Sequence, residues 1–172
     1  MNYADIKEYD VANGPGIRVS IFVSGCNHAC PGCFNQEAWD FNYGNPFTQK
    51  EFDFILDKLS FEHYKGISFL GGEPFEYVNQ EGLLPLAKAI KEKYPEKTIW
   101  CYTGFSFDTD ILEKMCPKWP LTQEFLSYID VIVDGKFIEA KKDLNLKFRG
   151  SSNQRIILVK ESLEKGEIVL WQ

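Results

Sequence analysis

The stretch Val23–Asn35 reads VSGCNHACPGCFN and sets three cysteines, Cys26, Cys30 and Cys33, at the spacing C-x3-C-x2-C. It is fed by RVSIFVSG (Arg18–Gly25), a run of β-branched and aromatic residues that reads as a strand. The same pattern of a strand running into an unusual turn recurs downstream. GISFLGGEP (Gly66–Pro74) is a short apolar run ending in a double glycine, TIWCYTGF (Thr98–Phe105) ends in Thr103-Gly104, and DVIVDG (Asp130–Gly135) ends in Asp134-Gly135. Between them lie helical stripes. TQKEFDFILDKL (Thr48–Leu59) carries Phe52, Ile55, Leu56 and Leu59 on one face, with Thr48 and Glu51 spaced as a capping box. LLPLAKAIKEKY (Leu83–Tyr94) repeats the stripe, with Pro85 placed where only the first turn of a helix tolerates it. DTDILEKM (Asp108–Met115) and TQEFLSYI (Thr122–Ile129) predict two short helices, QRIILV (Gln154–Val159) a further strand, and EIVLWQ (Glu167–Gln172) a last one.

Strands alternating with helices imply right-handed βαβ crossovers and a mostly parallel sheet. In such sheets functional groups gather beyond the C-terminal strand ends, where the cysteine loop and the three glycine turns all fall. A closed eight-stranded barrel needs about 250 residues, and this chain has 172. The expectation is an α/β fold, a partial, open (β/α)6-type barrel of mostly parallel strands, in a single domain spanning residues 1–172.

Hydrophobic residues at 44% and charged residues at 26% indicate a globular chain with a core. A net charge of −6 argues against nucleic acid as a partner. The basic stretch with Lys136, Lys141, Lys142, Lys147 and Arg149 is interrupted by acids and reads as a solvated loop. No apolar run is long enough to span a bilayer, and the N-terminal MNYADIKEYD is too polar for a secretory signal, so the expected location is the cytoplasm, with no membrane partner. Thiols stay reduced there, and five cysteines is an odd number for a disulfide framework, so the cluster points to metal chemistry.

Three thiolates leave two readings open. His28 lies inside the loop and would complete a Cys3His zinc site with Cys26, Cys30 and Cys33. Alternatively the missing ligand is itself functional: a [4Fe–4S] cluster held by three cysteines keeps one iron free for substrate or cofactor. Cys101 would be the fourth ligand of a plain electron carrier, although it and Cys116 read more simply as small buried hydrophobes. Gly71 and Gly72 fit either a close backbone approach to a ligand or an ordinary turn. Gly14-Pro15-Gly16 reads as a tight turn, and Arg18 serves either a partner surface or a pairing acid. His63 reads as solvent-facing.

CNHACPGC with GGEP on the next strand end resembles the radical S-adenosylmethionine (SAM) superfamily. NGPGIRVSIFVSGC (Asn13–Cys26) is similar to the activating enzymes of glycyl radical enzymes, and VDGKF (Val133–Phe137) with RGSSNQRII (Arg149–Ile157) to the branch that activates anaerobic ribonucleoside-triphosphate reductase. The resemblance runs from Asn13 to Ile157 and implies the open-barrel radical SAM fold. It implies an oxidoreductase in which Cys26, Cys30 and Cys33 hold a [4Fe–4S] cluster and SAM chelates the fourth iron. One electron then cleaves SAM to a 5′-deoxyadenosyl radical, which takes a hydrogen from a glycine of the reductase. Gly32, Phe34, Gly71, Gly72, Glu73, Thr103, Asp134 and Lys136 are the implied SAM-binding residues alongside Cys33, with Glu73 orienting the loop. Many radical SAM enzymes carry an aromatic residue just before the third cysteine; Gly32 stands there, and Phe34 follows. Loop amides between Asn27 and Gly32 are expected to face the cluster. A low-potential flavodoxin or ferredoxin is the implied electron donor. The alternative within the superfamily is an activator of pyruvate formate-lyase, and a synthase of deazapurine carboxylates stands further off. The resemblance gives no role to Arg149, Asn153 and Arg155.

Overall fold

The computed structural model describes residues 1–172. Seven strands form one mixed sheet in the order β3-β1-β2-β4-β5-β6-β7. Its centre is parallel: β2 (Ile17–Val23), β4 (Tyr64–Gly71), β5 (Thr98–Tyr102) and β6 (Val131–Asp134). Its flanks are antiparallel: β1 (Asn2–Asp10) against β2, β3 (Asn45–Pro46) against β1, and β7 (Arg155–Leu158) against β6. The sheet is therefore α/β, mixed and open. β6 and β7 are joined by residues 135–154 with only a short turn of helix at Glu139–Lys141, so no crossover helix separates them and the pair is antiparallel.

Alternation along the central strands sorts residues onto two faces. Val19, Ile21 and Val23 of β2, Ile67 and Phe69 of β4, Ile99 and Cys101 of β5, and Ile132 of β6 point to one side. Helices bury that side: α1 (Gln49–Leu59), α2 (Tyr77–Lys93), a wide π-type helix (Phe107–Met115) running into a turn α3 (Cys116–Lys118), and α4 (Pro120–Tyr128), with α5 (Val159–Lys165) at the end. Ile55 and Leu59 of α1, Leu83, Leu86 and Ile90 of α2, and Phe125 of α4 have no exposed surface. The opposite face is mixed. Trp100, Val131 and Val133 pack there with Phe148 and Trp171, while Phe22, Leu70 and Tyr102 line a cleft.

Four local expectations change. MNYADIKEYD forms β1: Tyr3 and Ile6 pack against the core while Asp5, Lys7 and Tyr9 face out, a charged strand near the sheet edge that carries little apolar signal. Helix α2 begins six residues before Leu83, so Pro85 lies inside it rather than in its first turn. The early start is held by Asn79 and Gln80, polar residues with no exposed surface that bond to backbone carbonyls. The tail pairs with β7 through a single bridge, Ile157 to Leu170, plus bonds such as Trp171 N–H to the Ile156 carbonyl (2.8 Å). Arg18, finally, reaches neither a partner surface nor an acid: it is wholly buried and bonded to carbonyls and hydroxyls. The capping box is as expected, with the Thr48 N–H and hydroxyl donating to the Glu51 carboxylate at 2.7 and 2.6 Å.

Candidate metal centre

Strand β2 delivers the chain to the cysteine loop at the C-terminal edge of the parallel strands. Backbone bonds seat the base of the loop: Gly25 N–H donates to Ala38 O (2.7 Å), Cys26 N–H to Trp39 O (3.1 Å), Gly72 N–H to Val23 O (2.7 Å) and Glu73 N–H to Gly25 O (2.8 Å). These contacts explain Gly72. A Cβ there would stand 2.6 Å from the Gly25 carbonyl oxygen and 2.8 Å from that of Ala38, so the close approach is between two pieces of backbone. Asn79 adds a buried clamp, donating to the carbonyls of Ser24 (3.0 Å) and Glu73 (2.9 Å). Glu76 accepts from Asn27 N–H at 3.2 Å.

Cys26, Cys30 and Cys33 all face one cleft of about 600 Å³. It runs along the helix-free face of the sheet, from Ala12 and Asn13 before β2 to the cysteines. Burial pushes the Cys26 thiol up to about 11 and raises Cys30 as well. Two backbone amides, those of His28 and Phe137, oppose that rise at Cys26 and Cys30 respectively. The first lies in the stretch Asn27–Gly32 whose amides are expected to face the cluster. The second comes from the β6–β7 connection, a source the loop sequence does not reveal.

Other expected site residues divide by position. Phe34, Gly71, Gly72, Glu73 and Thr103 line the cleft with the cysteines. Phe34 is 66% exposed, its ring 5.4 Å from that of Phe137, with the Lys142 ammonium above it. Thr103 is buried, and its hydroxyl donates to Glu73 (2.8 Å). Gly32, Asp134 and Lys136 do not line the cleft. Gly32 sits in a left-handed turn (φ +75°) facing Glu139. Asp134 is buried and takes two bonds from Arg155, at 3.0 and 2.6 Å, plus Phe107 N–H at 2.8 Å. Lys136 is exposed, and its charge helps hold down the Cys30 thiol.

Neither candidate fourth ligand is free, although His28 lines the same cleft. His28 Nε2 is 2.7 Å from Glu73 Oε1, and its ring packs edge-on to Phe105 at 4.4 Å. Cys101 has no exposed surface and belongs to the helix-side core. No three His, Cys, Asp or Glu side chains converge closely enough to hold one bare ion. Three soft thiols spread along one cleft suit a polynuclear iron–sulfur group.

The RGSSNQR segment folds the β6–β7 connection back onto β6. Arg149 donates to Gln154 O (2.6 Å), Asn153 to Lys136 O (2.9 Å), Gln154 to Gly135 O (3.0 Å), and Arg155 bridges Asp134 and Asp108. The neighbouring basic stretch is solvated at its lysines, as expected, but Phe137, Leu144, Leu146 and Phe148 between them line the cleft.

Residues 12–157 match the family model described as a 4Fe-4S single cluster domain. The chain is 41% identical over 158 residues to an anaerobic ribonucleoside-triphosphate reductase-activating protein of Haemophilus influenzae, covering 91% of this chain and 97% of the relative. It is 41% identical over 156 residues to the Escherichia coli K12 protein of the same name (90% and 96%), and 39% over 158 residues to that of enterobacteria phage T4 (91% and 93%). The chain belongs to the anaerobic ribonucleoside-triphosphate reductase-activating protein family. In this member of the family the matched region contains the whole cleft-side constellation except β1. Asn79, Glu76, Phe105 and Phe137 are the site residues that motif reading misses. Asn79 alone leaves a trace, a polar residue on the helix face otherwise filled by Leu83, Leu86 and Ile90.

Proposed function

We propose that this chain, as a single domain spanning residues 1–172, activates an anaerobic ribonucleoside-triphosphate reductase by generating a glycyl radical on it, using SAM at a [4Fe–4S] cluster. One observation carries the reading: Cys26, Cys30 and Cys33 face a common cleft while the His28 ring nitrogen is taken by Glu73 and Cys101 is buried in the helix-side core. Three thiolates then leave one iron of a four-iron group for SAM. When bound, the cluster and SAM supply what no side chain can, a one-electron bond cleavage that yields a hydrogen-abstracting radical.

The residues of the chain bind, orient and shield. The amides of His28 and Phe137 favour negative charge on the two sulfurs they face. Gly71, Gly72 and Phe34 line the same cleft as Cys33, and SAM would lie along it. The remaining length of cleft, between Lys7 and Phe22 on one side and Leu146 and Phe148 on the other, suits a glycine-bearing segment of the reductase. We read the open sheet as the partial barrel of the radical SAM fold, which leaves a lateral mouth for a polypeptide. A low-potential flavodoxin or ferredoxin in the cytoplasm is the electron donor consistent with this reading, and no helix is long and apolar enough to cross a membrane.

The test is anaerobic reconstitution with iron and sulfide, then dithionite and SAM. About four irons per chain and 5′-deoxyadenosine are expected, both lost in Cys30→Ala, with a glycyl radical appearing when the reductase is added. Bound zinc without SAM cleavage would end the proposal.

A further inference from the structure

Glu73 is 1% exposed, and every acceptor direction of its carboxylate is used. Oε1 takes the His28 ring nitrogen and Gly104 N–H, both at 2.7 Å; Oε2 takes Phe75 N–H at 2.7 Å and the Thr103 hydroxyl at 2.8 Å. One side chain thus joins the cysteine loop, the end of β4 and the end of β5. A carboxylate only accepts, so the imidazole proton sits on Nε2. The His28 ring is 8% exposed and confined on two further sides. Phe105 packs against it, and Gly104 makes room for it, since a Cβ at that position would lie 2.7 Å from Nε2. The same histidine lies two residues from Cys26 and two from Cys30, so holding its ring holds the loop between two of the three thiols.

We infer that Glu73 and His28 are a positioning pair: they fix the cysteine loop between Cys26 and Cys30, and neither side chain touches SAM or the cluster. The inference rests on the cluster reading above. It removes Glu73 from the ligand contacts that the GGEP motif suggests, because the carboxylate has no free acceptor to offer an ammonium group.

The test uses reconstituted holoprotein under anaerobic conditions, comparing wild type with His28→Leu, His28→Gln and Glu73→Gln. Three quantities are read: the rate of iron loss to a chelator, the cluster midpoint potential by EPR-monitored titration, and SAM affinity from the change in EPR signal. In His28→Leu the chelator is expected to strip iron about 10- to 100-fold faster, the usual effect of losing a group that orients a ligand. Its potential shifts, because a loosened loop changes the hydrogen bonding and solvent exposure of the cluster. His28→Gln keeps a donor at nearly the same reach and restores both. Glu73→Gln resembles His28→Leu, and SAM affinity of the loaded fraction is unchanged in all three. A His28→Gln protein as impaired as His28→Leu would overturn the inference, since the bond to Glu73 would then be irrelevant. So would a variant that keeps iron and potential but loses SAM. Wild type that takes up no cluster would instead sink the proposed function.

Discussion

Arg18 lies wholly inside the protein with all five N–H donors used: Ser68 Oγ, Pro15 O, Thr98 Oγ1, Ile67 O and Thr98 O, at 2.8 to 3.2 Å. It also stacks on Trp100. Burial brings its guanidinium down to about 10, still charged at neutral pH. Carbonyl and hydroxyl dipoles therefore do the work of an acid, and Arg18→Met, which orphans them, is expected to cost about 3 kcal/mol or more in urea unfolding. The hydroxyl of Tyr102 makes the contrast: it is buried without a partner, so Tyr102→Phe removes an uncompensated desolvation cost and is expected to raise stability in the same measurement. Within the cysteine loop Ala29 is held at φ +51°. Ala29→Gly is expected to raise the stability of the metal-free protein by up to about 1 kcal/mol. At this scale the sequence discloses residues whose chemistry demands a spacing, the three cysteines above all. It does not disclose Arg18, because a buried cation satisfied by dipoles has no partner residue to search for.

Among the elements, α1 and α4 are legible because an apolar stripe every three to four residues survives any tertiary context. Strand β1 and the first turns of α2 are not, since one is a charged strand near the sheet edge and the other buries asparagine and glutamine. Thr48→Ala, which breaks the α1 capping box, is expected to cost about 1 kcal/mol. The π-type helix is tied to β6 and β7 by Arg155, which bonds both Asp108 and Asp134. Bonds from Arg155 and then Ser106 lower the pKa of Asp108 well below the usual carboxylate range. Since its folded value lies below the unfolded one of about 4, the ionised form contributes stability above that pH and the contribution disappears as acid is added. Thermal unfolding is therefore expected to find Asp108→Asn less stable than wild type near pH 7, with the gap narrowing as the pH falls below about 4 and closing only below the depressed folded value.

Across the whole molecule the centre of the sheet is closed on its helix side by residues with no exposed surface, whereas the β6–β7 connection is largely exposed. Amide hydrogen exchange is expected to be slowest in β2, β4 and β5 and fastest across Ala140–Lys147. The α/β class was readable from alternating strands and helices. The antiparallel flanks were not, because pairing direction depends on whether a connection contains a helix, and the stretch 135–154 does not advertise that it lacks one. The thiols come from a single early loop, but their surroundings come from late parts of the chain: Gly104 and Thr103 through Glu73, and Phe137 at the Cys30 sulfur. During synthesis the ribosome releases Cys26, Cys30 and Cys33 long before Phe137 exists. Iron offered to the growing chain would meet a loop whose neighbours have yet to be made, so stable cluster loading is expected to follow completion of the polypeptide.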